Sequence, residues 1–138
     1  MRFFLDNCIS VAMARAIAEL ARAQGIEVIH LSDRFPRDTT DVDWIRALRK
    51  EQWIIVSGDT RISRNPAERE AWLESRLTAF FFEESWSRRR FWVQAAELVR
   101  WWPVLLETAG TCMHGSGYLL PFKGNTPKLI YGLKERQR

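Results

Sequence analysis

Phe3-Phe4-Leu5 is a short apolar run that ends at Asp6, the pattern of a buried strand, and Asp6-Asn7-Cys8-Ile9 leads from it into a helix that Ser10 can cap. Apolar positions at Ile9, Met13, Ile17 and Leu20 recur at helical spacing, and Gly25 supplies the stop. Ile26 to Leu31 alternates and is rich in β-branched residues, so it predicts a second strand, followed by a polar loop from Ser32 to Thr39. Thr40-Asp41-Val42-Asp43 has the spacing of a capping box and opens a helix with Trp44, Ile45 and Leu48 on one side. Trp53 to Ser57 predicts a third strand that ends at Gly58-Asp59. Asn65-Pro66-Ala67-Glu68 then offers a cap, a proline at the first helical position and a first-turn acid for a helix reaching about Ser75. Leu77 to Phe82 predicts a fourth strand. From Ser85 or Ser87 a long amphipathic helix is expected to reach Trp102, where Pro103 should kink or restart it. Gly117 to Phe122 predicts the last strand.

Strands alternating with helices imply an α/β fold with a mainly parallel sheet of about five strands. Residues 1–138 show no internal repeat and no linker, as expected of one domain, and 46% hydrophobic residues suffice for one core. The tail from Thr126 to Arg138, basic at its end, is expected to be flexible or to dock on a partner. No run of 18 or more apolar residues occurs, and an acid at position 6 comes too early for a signal-peptide core. The expectation is a cytoplasmic protein with no membrane segment. Five of the seven tryptophans, Trp72, Trp86, Trp92, Trp101 and Trp102, fall in one stretch, which should fill the core or a subunit interface.

Cys8 and Cys112 are too few and too distant for a disulfide framework or a zinc pattern, and His30 and His114 do not complete one. Any metal site must therefore be built from oxygen ligands. In an open parallel sheet, ligands bind beyond the carboxyl ends of the strands. Asp6 follows the first strand, Asp59 the third, and Asp41 lies in the first turn of the helix after the second, so all three can reach one crevice. Three carboxylates gathered there repel one another unless a cation neutralises them, and oxygen-only ligation suits Mg²⁺ or Mn²⁺. Such ions promote phosphodiester cleavage. Asp43 reads more simply as a first-turn acid complementing the helix dipole, and Asn7 as a turn former or a substrate contact. Arg34 and Arg37 before Asp41, with Arg61 and Arg64 after Asp59, read equally as loop-solvating residues or as groups placed to hold a nucleic-acid backbone, and a net charge of +4 adds little to the choice. Arg88-Arg89-Arg90 reads as a solvated helix face or a contact for an acidic partner.

Phe4-Leu5-Asp6-Asn7, Thr40-Asp41-Val42-Asp43-Trp44-Ile45 and Ile54-Ile55-Val56-Ser57-Gly58-Asp59 resemble, in order and spacing, the acidic motifs of shortened PIN-like domains, including toxins of the VapC type. The resemblance spans roughly residues 2 to 85. It implies a three-layer α/β/α sandwich and an RNA endonuclease needing Mg²⁺ or Mn²⁺. It also implies inhibition by a co-encoded antitoxin protein and a homodimer. Carried over, Asp6 and Asp59 match the first and late acids, Asp41 matches the middle one with Asp43 as rival, and Glu83 or Glu84 is all that offers a fourth. Two other functions compete. A receiver-type domain would use Asp59 as phosphoryl acceptor and Lys123 as its partner, but it would leave Asp41 without a role. A non-catalytic module would keep the fold without the cleavage.

Overall fold

The strand Phe3-Phe4-Leu5 is apolar at every position because both of its faces are covered. In the computed structural model, which describes residues 1–58, 65–111 and 114–132, β1 (Arg2–Leu5) lies inside a six-stranded sheet. The other strands are β2 (Glu27–His30), β3 (Trp53–Ser57), β4 (Thr78–Phe82), β5 (Gly117–Leu120) and β6 (Lys128–Tyr131), in the spatial order β2-β1-β3-β4-β5-β6. All neighbours from β2 to β5 are parallel, and β6 closes the edge antiparallel to β5.

Alternate residues of each strand feed two cores. Phe3, Leu5, Val56, Phe80, Phe82 and Leu120 pack against α1 (Val11–Arg22) and α4 (Phe91–Thr111). Phe4, Ile55, Ala79 and Phe81 face α2 (Asp41–Leu48) and α3 (Pro66–Ser75). The result is an α/β/α sandwich, with helices on both faces of a mostly parallel sheet.

The helix starts follow the capping chemistry. Ser10 Oγ accepts from Met13 N, Thr40 Oγ1 from Asp43 N, and Asn65 Oδ1 from Ala67 N and Glu68 N. Helix α1 buries Met13, Ile17 and Ala21, an i, i+4 row that leaves the expected Leu20 58% exposed. The polar loop after β2 begins with a 3₁₀ turn, Leu31–Asp33, in which His30 accepts from Ser32 N while its own N–H bonds to Asp33. The ring's Nε2 lies 2.8 Å from Ile9 O, so His30 ties the first helix entry to β2.

Two expectations differ from the structure at the C-terminal end. The long helix begins at Phe91 and not at Ser85 or Ser87, because Glu84–Arg88 forms a 3₁₀ turn and Arg89 adopts extended backbone between the two. Pro103 lies inside the helix, which continues past it to Thr111. Its ring is exposed, and Leu98, Trp101, Trp102 and Leu105 anchor the helix in the core on both sides of it. Within the tail from Thr126, Lys128–Tyr131 forms strand β6, whose Tyr131 is buried against Gly117. Trp72, Trp86, Trp101 and Trp102 fill the two cores, while Trp92 is 80% exposed.

Candidate functional site

The connection from β1 to β2 runs through α1 on one face, and that from β2 to β3 through α2 on the other. A crevice therefore opens between the carboxyl ends of β1 and β3, the point where an open α/β sheet offers its ligand site. Asp6 stands there. Its N–H continues the ladder to Val56 O at 3.2 Å, its Oδ1 accepts from Cys8 N at 2.9 Å, and its Oδ2 accepts from Ser57 Oγ. The side chain is almost wholly enclosed, at 2% exposure. Burial pushes the Asp6 carboxyl up to about 6, against the pull of the Ser57 and Cys8 hydrogen bonds, and the nearby charge of Asp41 pushes it further in the same direction.

Asp41 is half-buried at the first position of α2, and its Oδ1 accepts from Trp44 Nε1 at 2.9 Å. Trp44 lies three residues on, hence on the same helical side, and is itself fully buried. Asp43 is exposed, and its backbone N–H is the one that Thr40 caps. Asp41 is a first-turn acid whose charge acts on Asp6. Ser57 and Trp44, the two side-chain donors that orient the carboxylates, were not among the site residues expected from sequence. Both had a signal: Ser57 closes an apolar strand one step beyond Val56, the partner of Leu5, and Trp44 is at i+3 from Asp41.

Asn7 and Arg37 are brought together, with Asn7 Nδ2 donating to Arg37 O at 3.4 Å. They line, with Ile9, Val11 and Ser32, a cleft of about 470 Å³. Arg34 is drawn away to a bidentate pair with Glu51. A larger cavity of about 540 Å³ sits by Arg49, Trp53, Ser75 and Leu77, at the amino ends of β3 and β4. Its size does not make it the site, because the carboxylates are at the opposite edge. Of the acids offered as a fourth, Glu83 has both oxygens engaged, Oε2 accepting from Phe122 N at 3.0 Å and Oε1 from Ser85 Oγ at 2.8 Å. These bonds, the backbone one foremost, hold its carboxyl below the usual range and fasten the end of β4 to the end of β5. Glu84 is exposed in the following turn. Asp59, Arg61 and Arg64 lie outside the described residues.

Gly58, the residue before Asp59 in the sequence, meets Trp86 and Cys8 so closely that a Cβ would stand 2.7 Å from the indole and 3.2 Å from Cys8 Cβ. Glycine is required there by close approach. Trp86 stacks in turn on Phe82, with ring centroids 4.8 Å apart, so Gly58 rests on a pair of stacked aromatic rings.

Among the described residues, no three His, Cys, Asp or Glu side chains gather into a metal cage. Asp6 and Asp41 make a pair of oxygen donors, and Asp59 is the remaining acid of the expected set. The pair fits a hard divalent cation in donor type. A buried carboxylate has about four lone-pair positions, of which hydrogen bonds occupy two at Asp6, and the charge of Asp41 acts on it.

Residues 1–84 match the family model described as a PIN like domain. That match covers the larger part of the chain, and the chain belongs to the PIN-like domain family. No curated protein and no solved structure matches it. No described helix is long and apolar enough to cross a membrane.

Proposed function

We propose that this protein is an endoribonuclease that cleaves RNA phosphodiesters with Mg²⁺ or Mn²⁺ held by Asp6, Asp41 and Asp59. The observation that carries the reading is the buried Asp6 carboxylate at the β1/β3 crevice with the charge of Asp41 beside it. Both belong to the segment that matches the PIN-like family. Keeping two carboxylates ionised in such a place is costly, and the usual compensation is a bound cation.

When bound, the cation supplies positive charge that favours attack by water and departure of the leaving oxygen. The chain's own residues do the rest. Ser57 and Cys8 hold Asp6 in one orientation, Trp44 holds Asp41, and Asn7 and Arg37 contact the RNA backbone in the adjoining cleft, with Arg61 and Arg64 beyond Asp59. The toxin role, with a co-encoded antitoxin as inhibitor, rests on the likeness of the acidic motifs to those of shortened PIN-like toxins. The receiver reading has less support: the chain matches the PIN-like family, and that reading leaves the Asp6–Asp41 pair unused.

The test is an RNA cleavage assay with Mn²⁺ or Mg²⁺ on the wild type, Asp41→Asn and Asp43→Asn. Chelation should abolish cleavage, and Asp41→Asn should lose at least about two orders of magnitude, the usual effect of removing one main electrostatic group. Asp43→Asn should retain most of the rate and lose about 0.5–1 kcal/mol of stability, as a helix-terminal charge would. Cleavage that survives chelation, or the reverse ranking of the two variants, overturns the assignment.

A further inference from the structure

Beyond Glu83 the chain folds around one indole. Trp86 Nε1 donates to Gln94 O at 3.3 Å, and Gln94 Nε2 returns a bond to Trp86 O at 2.9 Å. The intervening Arg88-Arg89-Arg90-Phe91-Trp92 is exposed throughout. Because Trp86 also packs on Gly58 and stacks on Phe82, this segment lies at the carboxyl edge of the sheet, the edge that holds Asp6 and Asp41.

The segment's composition is that of a surface built for a polyanion with flat bases. Arg89 is engaged, its guanidinium stacked 3.8 Å over the Phe122 ring. Arg88 and Arg90 form no ion pair among the described residues. Trp92, 80% exposed, is braced edge-on by Phe91, with centroids 5.6 Å apart. Indole faces bind unpaired bases by stacking, and arginines beside them bind the phosphates. A second copy is a poor occupant, since a two-fold contact would bring two arginine runs together.

We infer that Arg88, Arg90 and Trp92 form a holding site for single-stranded RNA outside the carboxylate crevice, with Trp92 stacking on a base and the two arginines contacting phosphates. This inference rests on the ribonuclease reading for the identity of the strand. It goes beyond that reading by assigning part of substrate capture to residues past the segment that matches the family.

Binding of a fluorescein-labelled 12-mer oligoribonucleotide, about the length of one site, is measured by anisotropy in excess chelator, so that binding is read without cleavage. Trp92→Ala should weaken binding roughly ten-fold, Trp92→Phe should restore most of it, and the same sequence as a duplex should be insensitive to Trp92. Arg88→Ala with Arg90→Ala should lower the slope of log Kd against log salt by about 1.4. Circular dichroism checks that these surface variants fold. Unchanged single-strand binding by Trp92→Ala overturns the inference, and so does a Trp92→Ala effect seen only in light scattering, which would make the patch a protein interface. Trp92-dependent binding by a protein that never cleaves RNA would leave the holding site standing and remove the ribonuclease reading. Cleavage with Trp92-independent binding would do the opposite.

Discussion

Asp6 is the residue at which folding and function pull in opposite directions. Its carboxyl is raised to about 6, chiefly because burial penalises the charge, whereas in the unfolded chain it titrates near 3.8. The folded state therefore binds this proton more tightly, and the associated stability is complete below pH 4 and is lost as pH rises through about 6. A shift of this size corresponds to on the order of 3 kcal/mol. Asp33 acts oppositely and in another window. Held down to about 2, first by its hydrogen bond from Arg15, it favours the folded state above pH 4 and loses that effect only as pH falls toward 2. Melting curves in chelator should thus show wild type losing stability between pH 4.5 and 7. In Asp6→Asn, which can still accept from Cys8 N and donate to Ser57, that loss should be absent and the protein more stable than wild type at pH 7.5. A wild-type curve flat across this range would mean that Asp6 is not desolvated as the structure has it.

At the level of elements, α4 separates propensity from packing. Proline inside a helix removes one backbone hydrogen bond and crowds the preceding turn, at about 3 kcal/mol. Pro103 nevertheless sits within Phe91–Thr111, because Trp101, Trp102 and Leu105 are pinned in the core on either side of it, and burying side chains of that size contributes roughly 1.5–3 kcal/mol each. Pro103→Ala should accordingly stabilise the protein, by roughly 1–3 kcal/mol in denaturant titration, since residue 103 is exposed and little burial is lost with its ring. No gain, or a loss, would show that the proline sets a bend the packing needs. The same helix marks what could be read from sequence. Strands β1 to β5, the first three helices and the caps at Ser10, Thr40 and Asn65 follow local patterns, and so do the positions of Asp6 and Asp41 relative to strand ends. Strand β6 carries no such pattern, because its pairing depends on Gly117 leaving room for Tyr131, a contact between distant residues. Ser57 and Trp44 were not expected as site residues for a related reason: each matters through one hydrogen bond visible only when strand register and helix orientation are known.

The molecule as a whole is larger than the segment that matches its family. Residues 1–84 supply β1 to β4 and three helices, yet one face of that sheet is covered by α1 and α4 together. Leu98, Trp101, Trp102, Leu105 and Leu120, all from beyond residue 84, are buried against Phe3, Phe80 and Phe82. At roughly 1.5–3 kcal/mol for each large apolar side chain, removing these five forfeits about 10 kcal/mol. That is comparable to the whole stability of an ordinary domain, about 5–15 kcal/mol. It would also leave β4, whose five residues are all buried in the intact protein, as an open apolar edge. A chain ended after residue 90 should therefore lack a cooperative melting transition and aggregate, although it retains Asp6, Asp41 and Asp59. By contrast, a chain ended after Asn125 keeps both cores apart from Tyr131. It should fold with a lowered melting temperature and a greater tendency to self-associate along the uncovered β5 edge. Calorimetry and light scattering on the two truncations distinguish these outcomes. A cooperative transition in the 90-residue chain would show that the carboxylate crevice is held by the first four strands alone, and that α4 is an addition to the domain and not one of its layers.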